Sequence, residues 1–286
     1  MSNQGDAPSF TVPSVPRHYG RGGLLQRLEQ ALRDDGADPA HPSADDLAPY
    51  DQLHGRGIEA TEELAAMLDV SQEDHLLDIG SGIGGPARAL TRRFGCRVTG
   101  IDLTEELCAV AEHFTRALAL AGRVRFQVGD ALAMPFAAGT FDGAYSMNVS
   151  MNIADKDTLY AEVARVLKPS GWFALSEVAQ GTGAPPDYPA PWAATASESF
   201  LATPQEMLRA LDRAGFELVH WRDTAPEAIA FAARSLAAHG RGEKPLQRAV
   251  PLLHGELGAQ AVRNAAHGIA EGRIVPVEIF CRLRRA

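Results

Sequence analysis

The chain has 286 residues, 45% apolar and 22% charged, enough to bury a core without disulfide or metal staples. Its 27 basic and 36 acidic side chains give a formal charge of −9, which argues against a duplex nucleic-acid binder that works through bulk basicity. Three cysteines (Cys96, Cys108, Cys281) form neither a CxxC pair nor an even framework, and no apolar run approaches the roughly 20 residues of a membrane span.

Residues 1–23, rich in Gly, Pro and Ser, read as a mobile or lid-like arm. A helix is expected over 24–33, with Leu24, Leu25, Leu28, Ala31 and Leu32 on one face. Residues 34–50 carry three prolines and read as a polar loop, and 58–69 as a helix. From there short apolar runs at 75–80, 97–102, 123–130, 141–149 and 171–178 alternate with helical stretches at 85–94, 104–121, 155–167 and 204–214. That alternation predicts an α/β chain with a doubly wound parallel sheet. Two further runs, 216–221 and 274–283, flank about 50 Ala-rich residues and lack β-α-β spacing, so they are expected to pair antiparallel as the last of seven strands. The expected organisation is an N-terminal arm and lid (1–57), a core (58–223), a helical cover (224–272) and the last core strand (273–286).

Residues 76–86 read Leu-Leu-Asp-Ile-Gly-Ser-Gly-Ile-Gly-Gly-Pro, a buried strand running into a glycine-rich turn that opens a helix. Gly80, Gly82 and Gly84 permit a sharp bend and a close backbone approach to a ligand. The glycines alone leave a dinucleotide site open. Asp78, two residues before the first glycine, would repel a pyrophosphate and welcome a cation. Asp102, at the end of the next run, can accept both hydroxyls of a ribose or cap the following helix. Gly129-Asp130-Ala131 adds a short polar group after the third run.

As a set, Asp78-Ile-Gly-Ser-Gly-Ile-Gly, Asp102, Gly129-Asp130-Ala131, FDGAYSMNV and RVLKPSGWFALSEV resemble the ordered motifs of class I S-adenosylmethionine-dependent methyltransferases, over about residues 55–222. The stretches LAPYDQLHGRGIEATEEL and MNIADKDTLYAEVARVLKPSG are similar to a bacterial small-molecule group that includes sarcosine/dimethylglycine N-methyltransferases. The resemblance implies a Rossmann-like fold, S-adenosyl-L-methionine as donor and S-adenosyl-L-homocysteine as product. It assigns Asp78 to the donor's amino group and Gly80, Ser81, Gly82 and Gly84 to its methionine portion. Asp102 would hold the ribose with Leu103 beside the adenine, and Asp130 the adenine amine with Ala131 beside it. Asn148 and Val149 would flank the methionine portion, and Arg56 would pair with the donor's carboxylate as a bidentate guanidinium.

Transfer from a sulfonium needs positioning and desolvation more than acid–base work. An amine acceptor needs no base. A hydroxyl usually does, and His54 is then the best-placed catalytic histidine. His75 and His113 read as structural. Acceptor contacts are expected from Tyr19 and Tyr50 of the arm and from Tyr188, Trp192 and Phe200 of the 179–203 loop. Phe231 and Leu236 of the helical stretch are candidates for a pocket wall. Met147-Asn148-Val149-Ser150 lacks the asparagine–proline–proline–aromatic motif of adenine N6 or glutamine N5 methylases.

The expected partner is a small-molecule acceptor, an amine of the sarcosine/dimethylglycine type or a natural-product hydroxyl or carbon. No nucleic acid, membrane or metal is expected. The competing readings are an NAD-dependent oxidoreductase and a donor-binding protein without turnover. Cysteine usage and the absence of a charged-then-apolar leader point to a cytoplasmic monomer or homodimer, and 24 arginines against three lysines to a bacterial, GC-rich source.

Overall fold

The structure is a computed structural model that describes residues 18–20 and 22–285. Most of the expected arm (residues 1–17 and Arg21) lies outside the described residues. The short apolar runs form seven strands: β1 (His75–Ile79), β2 (Arg97–Asp102), β3 (Val124–Val128), β4 (Phe141–Met147), β5 (Leu167–Gln180), β6 (Phe216–Asp223) and β7 (Ile274–Leu283). They join in the order β3-β2-β1-β4-β5-β7-β6. The first five are parallel, and β7 runs antiparallel to both β5 and β6. Near-continuous apolar runs are what a parallel sheet covered on both faces requires.

The helices supply those covers. They are α1 (Leu24–Asp34), α2 (Ala44–Asp51), α3 (Ile58–Ala66), α4 (Gly85–Phe94), α5 (Glu105–Ala117), α6 (Lys156–Val166), α7 (Pro204–Arg213), α8 (Ala225–Gly240), α9 (Ala249–His254) and α10 (Glu256–Ala270). On one face Leu159 and Val163 of α6 and Met207 and Leu211 of α7 bury against Leu77, Ile79, Phe173 and Ile279. On the other, Leu64 of α3 and Leu90 of α4 meet Leu76, Val98, Tyr145 and Trp172.

One expected loop is a helix. Residues 44–51 fold as α2 because Ser43 caps it: the Ser43 hydroxyl accepts from the Asp46 amide at 3.1 Å, and the Asp46 carboxylate accepts from the Ser43 amide at 2.8 Å. Pro49 is tolerated near the end of so short an element. The carboxylate of Asp51 then accepts from the buried Arg88 guanidinium at 2.9 Å and pins α2 to α4.

The described part of the N-terminal segment is built into the molecule. Leu24, Leu28 and Leu32 of α1 pack with Leu47 and Tyr50, with Leu107, Val110 and Phe114 of α5 and with Leu253 of α9. Leu28→Ala is therefore expected to lower the unfolding free energy by about 2–5 kcal/mol, the usual cost of a core Leu→Ala cavity. Urea denaturation checks this, since a loosely attached arm would give almost no change.

Candidate functional site

The backbone turns after β1 to β4 meet at the carboxyl edge of the sheet, where open α/β folds bind ligands. The first turn is strained by design. Gly80, Gly82 and Gly84 all have positive φ. The amides of Gly80 and Ser81 donate to the Ile101 carbonyl at 2.8 and 3.0 Å, which folds the loop over the end of β2. A Cβ on Gly80 would lie 2.5 Å from a methyl of Val149, so this position must be glycine for the turn after β4 to close. A Cβ on Gly84 would strike Phe126, so that glycine serves helix–sheet packing and does not face the cavity.

Asp102 holds the glycine loop from the next strand. Its carboxylate accepts from the Gly82 amide at 2.9 Å and from the Thr104 amide at 2.8 Å. Burial raises its pKa, opposed by these amide donors. Asp130 turns the chain after β3, its carboxylate accepting from the Leu132 amide at 2.9 Å. The turn after β4 rests on Glu177 of β5. That buried carboxylate accepts from the Ser146 hydroxyl at 2.6 Å, the Ser150 hydroxyl at 2.9 Å and the amides of Val149 and Ser150, each at 3.0 Å.

These turns enclose one cavity of about 230 Å³. Its walls include Gly80, Gly82, Asp102, Leu103, Asp130, Ala131, Asn148 and Val149, and Tyr19 reaches it from the N-terminal segment. Sequence reasoning missed Leu53, Leu107, Met147, Asn152 and Ile153, which also line it. Only the alternation of strand ends with turns pointed toward Met147. The others arrive on elements whose approach no local pattern encodes.

The remaining expected residues lie elsewhere, each for a physical reason. Arg56 is buried and donates to Glu63 at 2.8 Å and to the fully buried Glu278 at 3.3 Å, so its guanidinium is already committed. Arg56→Ala is expected to cost about 3–5 kcal/mol of stability, the range for removing one partner of a buried ion pair, with donor affinity unchanged by calorimetry. His54 is buried outside the cavity wall, with Nδ1 3.1 Å from the Gly55 carbonyl and Nε2 3.1 Å from the Thr61 hydroxyl. Burial pushes its pKa down to about 4, which makes it a weak base, and it does not line the cavity. Tyr50 donates to Asp35 at 2.8 Å within the α1–α2 cluster. Tyr188 and Trp192 pack with Met151, Val178 and Ile274, behind the turn that follows β4. The Phe200 amide donates to the Met151 carbonyl at 2.8 Å, and its carbonyl accepts from Lys156. None of these aromatics lines the cavity. Leu236 is 73% exposed on α8, and Phe231 on the same helix packs under Arg234, so neither walls it.

Ser81 and Asp78 sit just behind the loop. The Asp78 carboxylate oxygen Oδ2, the Ser81 hydroxyl and the Thr104 hydroxyl are buried without hydrogen-bond partners. Burial pushes Asp78 up to about 8, with a smaller contribution from the charge of Asp102. Among the described residues no group of side chains could hold a metal ion, and no helix is long and apolar enough to cross a membrane.

A doubly wound sheet whose glycine loop and two acidic turns line one cavity is an open α/β sheet with its ligand crevice at the carboxyl edge. The chain matches the methyltransferase domain family over residues 77–175, and the seven-stranded fold with its antiparallel β7 surrounds that stretch. It is 36% identical to methyltransferase GfsG of Streptomyces halstedii over 46% of this chain and 48% of that one, so it spans about half of that relative. It is 29% identical to the O-methyltransferase cnsE of Penicillium expansum over 67% of this chain and 71% of that one. Its fold is similar to that of geranyl diphosphate C-methyltransferase from Streptomyces coelicolor A3(2), solved with S-adenosyl-L-homocysteine, with a TM-score of 0.69, 20% identity and coverage of 96% and 99%.

Proposed function

We propose that this chain binds S-adenosyl-L-methionine in the cavity and transfers its methyl group to a small-molecule acceptor, releasing S-adenosyl-L-homocysteine. The observation that carries the reading is Asp102, a half-buried carboxylate at the cavity wall whose two oxygens are oriented by one amide each. Such a group suits a ribose diol. Asp130 and the apolar Ile101, Leu103 and Leu107 suit an adenine beside it. Gly80 and Gly82 bring bare backbone to the cavity wall, and the Asp78 carboxyl behind them, whose Oδ2 is buried without a hydrogen-bond partner, can ionise to meet a cationic ligand. The donor supplies an activated methyl when bound. The protein's part is to hold and orient the donor and to keep water out with Leu53 and Val149.

The NAD reading fares worse, because a cationic ligand can ionise the Asp78 carboxyl and pair with it, whereas an anionic pyrophosphate at the glycine loop gains nothing from that group. Calorimetric titration with S-adenosyl-L-homocysteine and with NAD separates them. Binding of the first alone is expected, and binding of NAD alone would sink the proposal. A labelled-donor screen over amines, hydroxyls and activated carbons then reads the acceptor.

A further inference from the structure

Beyond the strand-end turns the cavity wall carries three polar side chains, Tyr19, Asn152 and Asp155, among Leu53, Met147 and Ile153. The Asp155 carboxylate accepts from the Thr158 amide and hydroxyl at 2.9 and 2.7 Å, which leaves the Tyr19 hydroxyl and the Asn152 amide as the donors at the wall. The Asn152 amide donates to the Tyr19 oxygen at 3.4 Å. That bond occupies the tyrosine's oxygen as an acceptor and leaves its own proton for a partner. The ring is held from two sides: His18 meets it edge-on at 4.8 Å, and His254 of α9 lies 5.8 Å away. His18 is in turn 3.2 Å from the Pro191 carbonyl. The N-terminal segment, α9 and the 181–203 loop thus converge to fix one phenol at the cavity.

We infer that the Tyr19–Asn152 pair recognises the acceptor and selects an acidic hydroxyl, a phenol or enol bound as its oxyanion, over an amine. This rests on the donor reading above. A tertiary amine has one lone pair, and methylation needs it; a proton donated by Tyr19 would compete for the same electrons. An oxyanion has lone pairs to spare, so one can accept from Tyr19 while another attacks. In the transfer, the acceptor's O–C bond forms as the donor's S–C bond breaks, and the bonding pair stays on sulfur. The oxyanion and sulfonium charges cancel, and no proton moves, because the hydroxyl gave its proton to solvent before binding. Burial raises the Tyr19 pKa well above its ordinary value, so the phenol keeps its proton beside such an anion. No base is then required, in keeping with His54 lying outside the cavity wall.

The test uses the full chain loaded with S-adenosyl-L-homocysteine, whose binding is first established by calorimetry; failure at that stage would count against the donor reading itself. The complex is then titrated optically with 4-nitrophenol and with its isostere 4-nitroaniline. The expected result is that the phenol binds as the coloured phenolate, about tenfold or more tighter than the aniline. Tyr19→Phe is expected to weaken the phenolate about tenfold while leaving S-adenosyl-L-homocysteine affinity, aniline affinity and Tm in place. Asn152→Ala is expected to give a smaller loss of the same kind. Equal or tighter binding of the aniline, no binding of the phenol to the loaded protein, or an unchanged phenolate affinity in Tyr19→Phe would each overturn the inference.

Discussion

Replacing Asp102 by Ala is expected to weaken S-adenosyl-L-homocysteine binding by two orders of magnitude or more. Two effects act together. The ribose diol would lose a charged acceptor, at about 1.5–3 kcal/mol for each hydrogen bond and about 1.4 kcal/mol for each factor of ten in Kd. The Gly82 amide would also lose the partner that orients it, so the glycine loop would relax. Asp102→Asn separates the two, because an amide oxygen can still accept from Gly82 while the charge is gone. Calorimetry should rank the affinities wild type, then Asn, then Ala. An Ala variant with wild-type affinity would remove Asp102 from the site.

The second large effect is a dependence on pH. Asp78 is almost fully buried, and its carboxyl is pushed up to about 8, chiefly by desolvation. The Tyr145 hydroxyl alongside and Arg88 pull the other way, while Asp102 adds to the rise. In an unfolded chain the same group ionises near pH ~3.9. Between those values the folded protein holds a proton that the unfolded chain has released. The stability tied to this group is fully present below about pH 4 and is lost as pH rises through about 8. Asp78→Asn is therefore expected to stabilise the ligand-free protein at pH 9 by up to about 5 kcal/mol, with little effect at pH 4. Urea denaturation at several pH values reads this directly, and a difference that does not vary with pH would show that the carboxylate is ionised throughout. If a cationic donor ionises Asp78 on binding, wild type should release close to one proton at pH 7 and the Asn variant none. Calorimetry in buffers of different ionisation enthalpy measures that release.

Much of the fold was legible because its signals are local. The run Leu76–Ile79 followed by Gly80, Gly82 and Gly84 encodes strand, turn and helix within a dozen residues. The antiparallel β6–β7 pair was legible from the missing crossover spacing. Helix α2 was not, because three prolines outweighed a capping box whose two halves, Ser43 and Asp46, are three residues apart. For the site, residues fixed by the strand ends came together as expected: Asp102, Asp130, Asn148 and Val149. Residues placed by long-range packing did not. Arg56 has the spacing of a donor-binding arginine, but of its two partners, Glu63 and Glu278, the buried one lies 222 positions away and no sequence window contains it. Leu53 and Asn152 read as unremarkable residues until the turns that carry them close on one cavity.

The order of the strands also constrains how the chain can be made. β7 fits between β5 and β6 and pairs with each along most of its length. During synthesis β6 therefore emerges with no neighbour, and β5 ends a half-built sheet as an open edge, until residues 274–283 leave the ribosome. Roughly 50 residues of helix must be translated in that interval, about 3–10 s at 5–20 residues per second. Throughout it the unpaired N–H and C=O groups along the edge of β5 are open to other chains. Until its final strand is delivered, the sheet keeps an open edge that another strand could pair with.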